Sequence, residues 1–508
     1  VKLNTFDGGK STRVNPTLLG LNEAVCMVNV DNTDLTLTSC CGLREVEGVT
    51  VSGYFYNYKN IWLSSTSERS YVEYKGVLYF TEANSKPKKN DGQRELTLGI
   101  EAPTNKLVAT QVTPVGTEKI SDVATVVQYV YTYYNAQDGV ESAPSPISDE
   151  LNLAANTVVD VNGLELSEDV QVDRIRLYRV GAGSTVFTLV EELPHFATTI
   201  RDDTPTLSLE GDLLESVDNQ PPPLGLQYLV EAYGTLFAAL GDKLYFTKPG
   251  QPDAWPSLYY LDLPYTITGL LVVSNGILVF SKNATHVLLG VNKESFSIED
   301  VSDEQGCISH LSCKKCKNIP FWVSSDGICT YATGIVSLVS MEKLGKLNLS
   351  VVNAVVYNEQ YFLLLANGSL LCMDLRFVPN FRDFKFDLMV DNVHKFDNQL
   401  YARCANKLYK LFYSGLEKFH YKSPKLTEGD HSVVKMYNNI YMRSCGDFEV
   451  KVFIDDNIVV EQMFTGDAIH DIMPNMEDQR GSNIQFDITG IGTVYEVEYK
   501  ALGRNNGR

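Results

Sequence analysis

The feature that most constrains this chain is a loose repeat between Tyr228 and about Tyr421, in which an aliphatic or aromatic run, a short turn and a second run recur. Copies run from Leu236 to Phe246 around Gly241-Asp242, from Leu270 to Phe280 around Asn275-Gly276, and from Ile319 to Tyr331 around Asp326-Gly327. Two more are Ala354 to Leu365 followed by Asn367 to Cys372, and Val393 to Tyr401 followed by Asn406 to Leu411. Short β-branched and aromatic runs broken by Asn-Gly or Asp-Gly pairs are hairpins. Hairpins spaced about 35–45 residues apart have the period of a β-propeller, whose blades bury their faces only against their neighbours. Val51 to Phe80 has the same texture and supplies a further blade, which predicts an all-β chain with a propeller of about six blades.

At 508 residues the chain is too long for a single core. Residues 1–48 carry little periodic pattern and read as an N-terminal arm with one or two strands, and 49–105 read as the first part of the propeller. Residues 106–223 form a separate unit. There Val126 to Tyr134 alternates as a half-buried strand does, and Val172 to Val180 and Val186 to Glu192 flank a turn at Gly181-Ala182-Gly183. Roughly seven short strands in about 115 residues fit an inserted immunoglobulin-like or fibronectin-like sandwich, ended by the stiff Pro221-Pro222-Pro223. The propeller resumes over 224–424. Residues 425–508, with five strand patterns and no helical period, read as a small C-terminal β-sandwich.

Charge excludes one class of function. With 43 basic and 63 acidic residues the formal net charge is −20, and such a surface repels phosphate, which argues against tight or sequence-specific duplex binding. Acidity is compatible with DNA that slides past without sticking. No apolar run approaches the ~18 residues of a membrane helix, and the first residues lack the apolar block of a signal peptide, so neither a membrane span nor export is expected. Ten cysteines in so long a chain fall far below the density of a disulfide scaffold and predict mostly reduced thiols and a cytosolic birthplace.

Chemical motifs are sparse. Cys313-Lys314-Lys315-Cys316, with Cys307 before it and Cys329 after it, is the one metal-like spacing, yet no second CxxC pairs with it and Cys329 sits where the repeat places a blade strand. No metal or other cofactor is expected. The seven histidines show no HxH or HExxH spacing, and Gly-x-Ser-x-Gly, a Walker loop and an EF-hand loop are absent. Ser324 to Tyr331 comes nearest to a sialidase Asp box, but its glycine directly follows the aspartate and tyrosine replaces tryptophan. No catalytic residue is assigned, and an enzyme is not expected. Residues 82–95 are polar without periodicity and read as a long exposed loop, with Lys86, Lys88 and Lys89 the densest basic cluster of the first half. These lysines are the candidate site, basic groups able to contact phosphates, against the plainer reading of a solvated tip.

Four stretches carry a family resemblance: Phe6 to Arg13 with Val28 to Asp31; Tyr129 to Tyr133 leading into Gly139 to Ser145; Arg174 to Arg179; and Gly234 to Ala239 running through Tyr245 to Pro249, Asp253 to Pro256, Gly276 to Phe280 and Thr285 to Gly290. In this order, over about the first three-fifths of the chain, they resemble the tail nozzle, also called tail tubular protein B or tail stabilisation protein, of short-tailed bacteriophages. The resemblance implies a non-catalytic structural virion protein assembled in the host cytoplasm. It would form a homohexameric ring at the distal end of the tail that closes the DNA channel and conducts genome ejection, with the loop of Lys86, Lys88 and Lys89 as the candidate gate. Its implied partners are the tail adaptor ring of the connector, tail fibres or other tail proteins, and double-stranded DNA passing without sequence specificity. The ten cysteines depart from the family pattern. The competing expectation is a propeller-based surface protein that binds or cleaves glycans, which would need an acidic and aromatic pocket on one propeller face.

Overall fold

The computed structural model describes residues 1–181, 183–209, 211–376, 380–429 and 432–503. The fold is all-β and of the propeller kind. Among the described residues, helical geometry is confined to four three-residue 3₁₀ turns. The chain divides into two compact units, one of residues 1–67, 268–289 and 297–508, the other of residues 68–267 and 290–296.

Among the described residues there are six four-stranded meanders. Two lie in the second unit: Arg69–Tyr74, Val77–Glu82, Lys88–Asn90 and Glu95–Thr97, then Gln227–Ala232, Thr235–Leu240, Lys243–Phe246 and Tyr260–Asp262. Four belong to the first unit. The third meander spans Ile267–Val273 to Ser297–Ser302, the fourth Lys314–Cys316 to Ile335–Leu338, and the fifth Val351–Tyr357 to Asn380–Phe384. The sixth takes three strands from Asn392–Phe396, Gln399–Cys404 and Lys407–Leu416 and its fourth from Cys41–Thr50, antiparallel with Lys407 opposite Thr50.

Left-handed backbone makes these tight hairpins. The pairs Lys317-Asn318, Asn358-Glu359, Asp397-Asn398 and Ala405-Asn406 all have both residues at positive φ, between 45° and 68°. That is the type I′ geometry whose twist matches the flanking strands. Alternation then presents one apolar face to each neighbour. Phe280 and Leu278 of the third meander meet Trp322 and Cys329 of the fourth, whose other face, with Phe321 and Val323, packs on Tyr361 and Leu363 of the fifth. Phe362 and Cys372 of the fifth pack in turn on Leu400 and Leu411 of the sixth. In the second unit Tyr79 and Leu98 pack on Leu229, Leu236 and Trp255.

The inserted sandwich apposes three strands, Val108–Val112, Val158–Asn162 and Thr199–Asp202, to a five-stranded sheet centred on Thr125–Asn135 and Arg174–Gly181. Tyr129, Tyr131, Val159, Val161, Ile175 and Leu177 fill its core. Within it, Arg179 meets Asp202 at 2.5 Å with both side chains buried, and the Tyr129 hydroxyl donates to the same carboxylate at 2.7 Å. Ala182, in the predicted Gly181-Ala182-Gly183 turn, lies outside the described residues.

Three readings change at the chain ends. The N-terminal arm is no loose extension with one or two strands: it carries Lys2–Leu3, Gly9–Lys10, Glu23–Ala24, Cys26–Val28, Val30–Asp31, Leu37–Ser39 and the start of Cys41–Thr50, each paired with a strand elsewhere in the first unit or in the arm itself. Second, Tyr54–Tyr58 and Ile61–Ser65 form their own hairpin, in which Phe55 packs with Tyr401 and Leu408 of the sixth meander. They are not strands of the meander that begins at Arg69. Third, the five strand patterns of the tail are three long strands, Lys435–Ile454, Asn457–Ile472 and Ile484–Gly503, with the short Arg480–Gly481. They continue a 13-stranded sheet through Phe419–Lys422 and Cys26–Val28. Its buried face carries Met27, Phe419, Tyr421, Phe448, Val450 and Ile488.

Candidate functional site

The candidate lysines do not lie on a long loop. The Val77–Glu82 strand runs into the predicted loop, Lys88–Asn90 is a strand with Lys89 opposite both Tyr79 and Leu96, and Glu95–Thr97 follows. The gate-loop reading is corrected on burial and charge as well. Lys89 is 5% exposed, and its ammonium lies 2.9 Å from Asp253 and 3.6 Å from Asp138. Lys88 pairs with Glu95 at 2.6 Å and Lys86 with Glu101 at 3.1 Å. Every ammonium of the cluster is engaged by a carboxylate. A phosphate would have to displace one, and the sequence pattern missed this because the partner acids lie 7 to 164 residues away.

Around Lys89 the second unit forms a cleft of about 390 Å³, lined by Lys75, Tyr79, Lys89, Asp91, Arg94, Asp138 and Asp253 among others. The turn after Lys88–Asn90 shapes one wall. There Asp91 accepts the backbone N–H groups of Arg94 and Gln93 at 2.7 Å each, and the Arg94 guanidinium meets Asp91 at 2.9 Å. The Arg94 backbone N–H first, and the Gln93 N–H and the guanidinium after it, hold the Asp91 carboxyl down at about 2 against partial desolvation. The other wall belongs to the sandwich. Asp138 accepts from Arg94 at 3.0 Å and from the Asn135 side chain at 3.0 Å, and Gln137 accepts from Arg94 at 2.8 Å. Asp253 accepts from Lys89 and from the Gly99 backbone N–H, both at 2.9 Å. Three acids and two bases are thus cross-linked by ion pairs, and what this geometry does is tie the first meander, the second meander and the inserted sandwich together.

The metal-like cysteines separate. Cys307, Cys313 and Cys329 join the core between the third and fourth meanders, whereas Cys316 faces the core shared by the fourth and fifth. The Cys307 and Cys313 sulfurs lie 3.6 Å apart, and all ten cysteines are unbridged thiols. Burial raises the thiols of Cys313 and Cys316, and brings Cys329 to about 11 and Cys372 and Cys404 to about 12. Among the described residues, no group of three or more His, Cys, Asp or Glu side chains is gathered as a metal site requires. No helix of the described residues is long and apolar enough to cross a membrane.

No protein-family model matches the chain, and no curated protein matches it. Similar solved structures include the computationally designed Ika8 protein, at 11% identity and a TM-score of 0.32, covering 74% of this chain and 99% of that one. BamB from Moraxella catarrhalis aligns at 8% identity and a TM-score of 0.29, covering 74% of this chain and 99% of its own. The extracellular domain of BT4673 from B. thetaiotaomicron, assigned to a hybrid two component system, aligns at 12% and 0.33 over 86% of this chain, which spans about half, 48%, of that structure. Likenesses of this size carry no inference about function.

Proposed function

We propose that the chain is a structural component of a phage tail, a nozzle subunit that forms a homohexameric ring, contacts the tail adaptor ring and lets double-stranded DNA pass without reading or cleaving it. The observation that supports this reading best is where the residues of the family resemblance sit. They are anchors: Phe6 is fully buried edge-on to Tyr421, and Gly9, at φ +70°, lies so close to Asn380 that a Cβ would come within 2.6 Å of it. Arg179 is locked to Asp202, Trp255 is 2% exposed in the core of the second unit, and Asp253 holds Lys89. Residues that fix segments far apart in the chain to one another suit a part that withstands internal pressure. The net charge of −20 suits a channel wall that DNA slides past.

The test is electron microscopy of the purified protein and of assembled tails. Six-fold rings, and filled heads that leak DNA when this chain is withheld from assembly, are expected. A monomer that hydrolyses glycans would remove the nozzle reading and favour the surface-protein one.

A further inference from the structure

The sheet of the first unit brings together three residues that are far apart in sequence. Cys26–Val28 pairs with Phe419–Lys422, which pairs with Ile484–Gly503. The registers place Lys422 opposite both Cys26 and Asp487, with His420 two residues from Lys422 and so on the same face. That face is the polar one, since Met27, Tyr421 and Ile488 point into the core behind it. On it the His420 imidazole bridges its neighbours, with Nδ1 3.5 Å from the Cys26 sulfur and Nε2 2.9 Å from Asp487 Oδ1. Cys26 is half-buried, and the side chains of His420 and Asp487 are 39% and 18% exposed, so small molecules reach the group.

We propose that Cys26, His420 and Asp487 form a thiol-exchange site, at which Cys26 accepts a mixed disulfide from a low-molecular-weight disulfide such as oxidised glutathione. The constellation is that of an activated nucleophile: a thiol on one imidazole nitrogen and an orienting carboxylate on the other. His420 is held as its cation, pushed up to about 10 first by its bond to Asp487 and then by Cys26, against partial desolvation, so that an imidazolium N–H faces the Cys26 sulfur. Other charges face the group. Lys422 lies 3.8 Å from Asp487, Lys451 stands opposite Asp487 on the next strand and is bound to Glu449 and Glu461, and Asp383, paired with Lys10, stands opposite Val28. In the exchange the Cys26 thiol gives its proton to solvent, its sulfur attacks one sulfur of RS–SR, the new S–S bond forms as the old one breaks, and RS⁻ leaves with the bonding pair. RS⁻ takes the Nδ1 proton of His420, which regains one from solvent. Asp487 is the positioning residue. No local pattern marks this group, because its members lie 67 and 394 residues apart.

The molecule supplies its own controls. Cys445 is exposed and, among the described residues, has no hydrogen bond to an imidazole, and Cys372 and Cys404 are buried. The full chain is incubated with oxidised glutathione at pH 7, and the modified cysteines are located and timed by peptide mass spectrometry. Cys26 is expected to react at least about tenfold faster than Cys445, within the range an adjacent imidazolium gives. His420→Ala and His420→Gln should bring Cys26 to the Cys445 rate while leaving Cys445 unchanged. In Asp487→Asn, which removes the bond that raises His420 most, the advantage of Cys26 should end at a lower pH than in the unaltered chain, a shift that a merely structural aspartate would not produce. Labelling of Cys372 reports unfolding. If a variant unfolds, the unaltered chain decides alone: a Cys26 rate at least about tenfold that of Cys445 at pH 7 supports the site. A smaller advantage, or none, overturns it.

Discussion

Replacing Lys89 by alanine tests whether the ion pairs around the cleft hold the second unit together. The Lys89 side chain is 7% exposed, and its ammonium bridges Asp253, itself 10% exposed, and Asp138, at 24%. Removing one partner of a buried pair costs about 3–5 kcal/mol, mostly because the other charge is left without compensation. Here Asp253 keeps the Gly99 N–H at 2.9 Å and Asp138 keeps Arg94 at 3.0 Å, which lowers the expected cost to about 2–3 kcal/mol. A chain of several domains does not unfold in two states, so local opening is the quantity to read. Native-state hydrogen exchange at the amides of Val77–Glu82 and Lys88–Asn90 should accelerate about 30- to 160-fold, at 1.36 kcal/mol per factor of ten. Lys88→Ala is the control, because its pair with Glu95 is about 40% exposed on both sides and is worth at most about 0.5 kcal/mol. Lys89→Met combined with Asp253→Leu should recover at least half of the loss. If Lys89→Ala exchanges no faster than Lys88→Ala, the cleft is a solvated surface and the ties are not structural.

What the sequence disclosed follows from what is local. The propeller repeat is legible because each hairpin turns within a few residues, and even the I′ turns without glycine, such as Asn358-Glu359, lie between strongly apolar runs. The sandwich is legible for the same reason, through Tyr129, Tyr131 and Tyr133 alternating on one strand. Long-range pairing was not legible. Cys41–Thr50 completes a meander whose other strands lie more than 340 residues later, and no period in either segment points to the other. The Lys88–Asn90 strand reads as a loop because what is buried at its centre is a charge, satisfied by an acid 164 residues on. The long C-terminal strands read as broken because glycine interrupts the apolar alternation. Gly446 stands opposite both Gly466 and Gly492, so the interruption is a feature of the sheet rather than its end.

That glycine column gives the next prediction. Gly446 has φ +135°, and a Cβ there would come within 2.2 Å of the Ile491 carbonyl oxygen, so Gly446→Val should cost about 2 kcal/mol or more and shift the chain towards insoluble material, measured by soluble yield and thermal melting. An unchanged melting profile would refute the close approach. Acid sensitivity tests Asp91. Its carboxyl sits at about 2 against an ordinary 3.8, so its contribution is complete above about pH 4 and is lost as pH falls through 2. Asp91→Asn should therefore remove part of the acid dependence of exchange at Arg94 and Gln93 in that window. The sandwich supplies the last prediction. Arg179 and Asp202 are 1% and 0% exposed at 2.5 Å, and Asp202 is otherwise held by the Tyr129 hydroxyl at 2.7 Å and the Thr204 backbone N–H at 3.1 Å. Arg179→Met keeps the alkyl volume but leaves a carboxylate with two neutral donors in a dry core, at a cost of about 3–5 kcal/mol. Because the pair bridges the two sheets of the insert, the loss should appear as rapid protease cleavage within residues 106–223, with the Lys435–Ile454 strand still protected. Asp202→Leu added to Arg179→Met removes the orphaned charge and should restore much of the resistance. An Arg179→Met chain as resistant as the unaltered one would mean that the tyrosine-rich core, and not this ion pair, joins the two sheets.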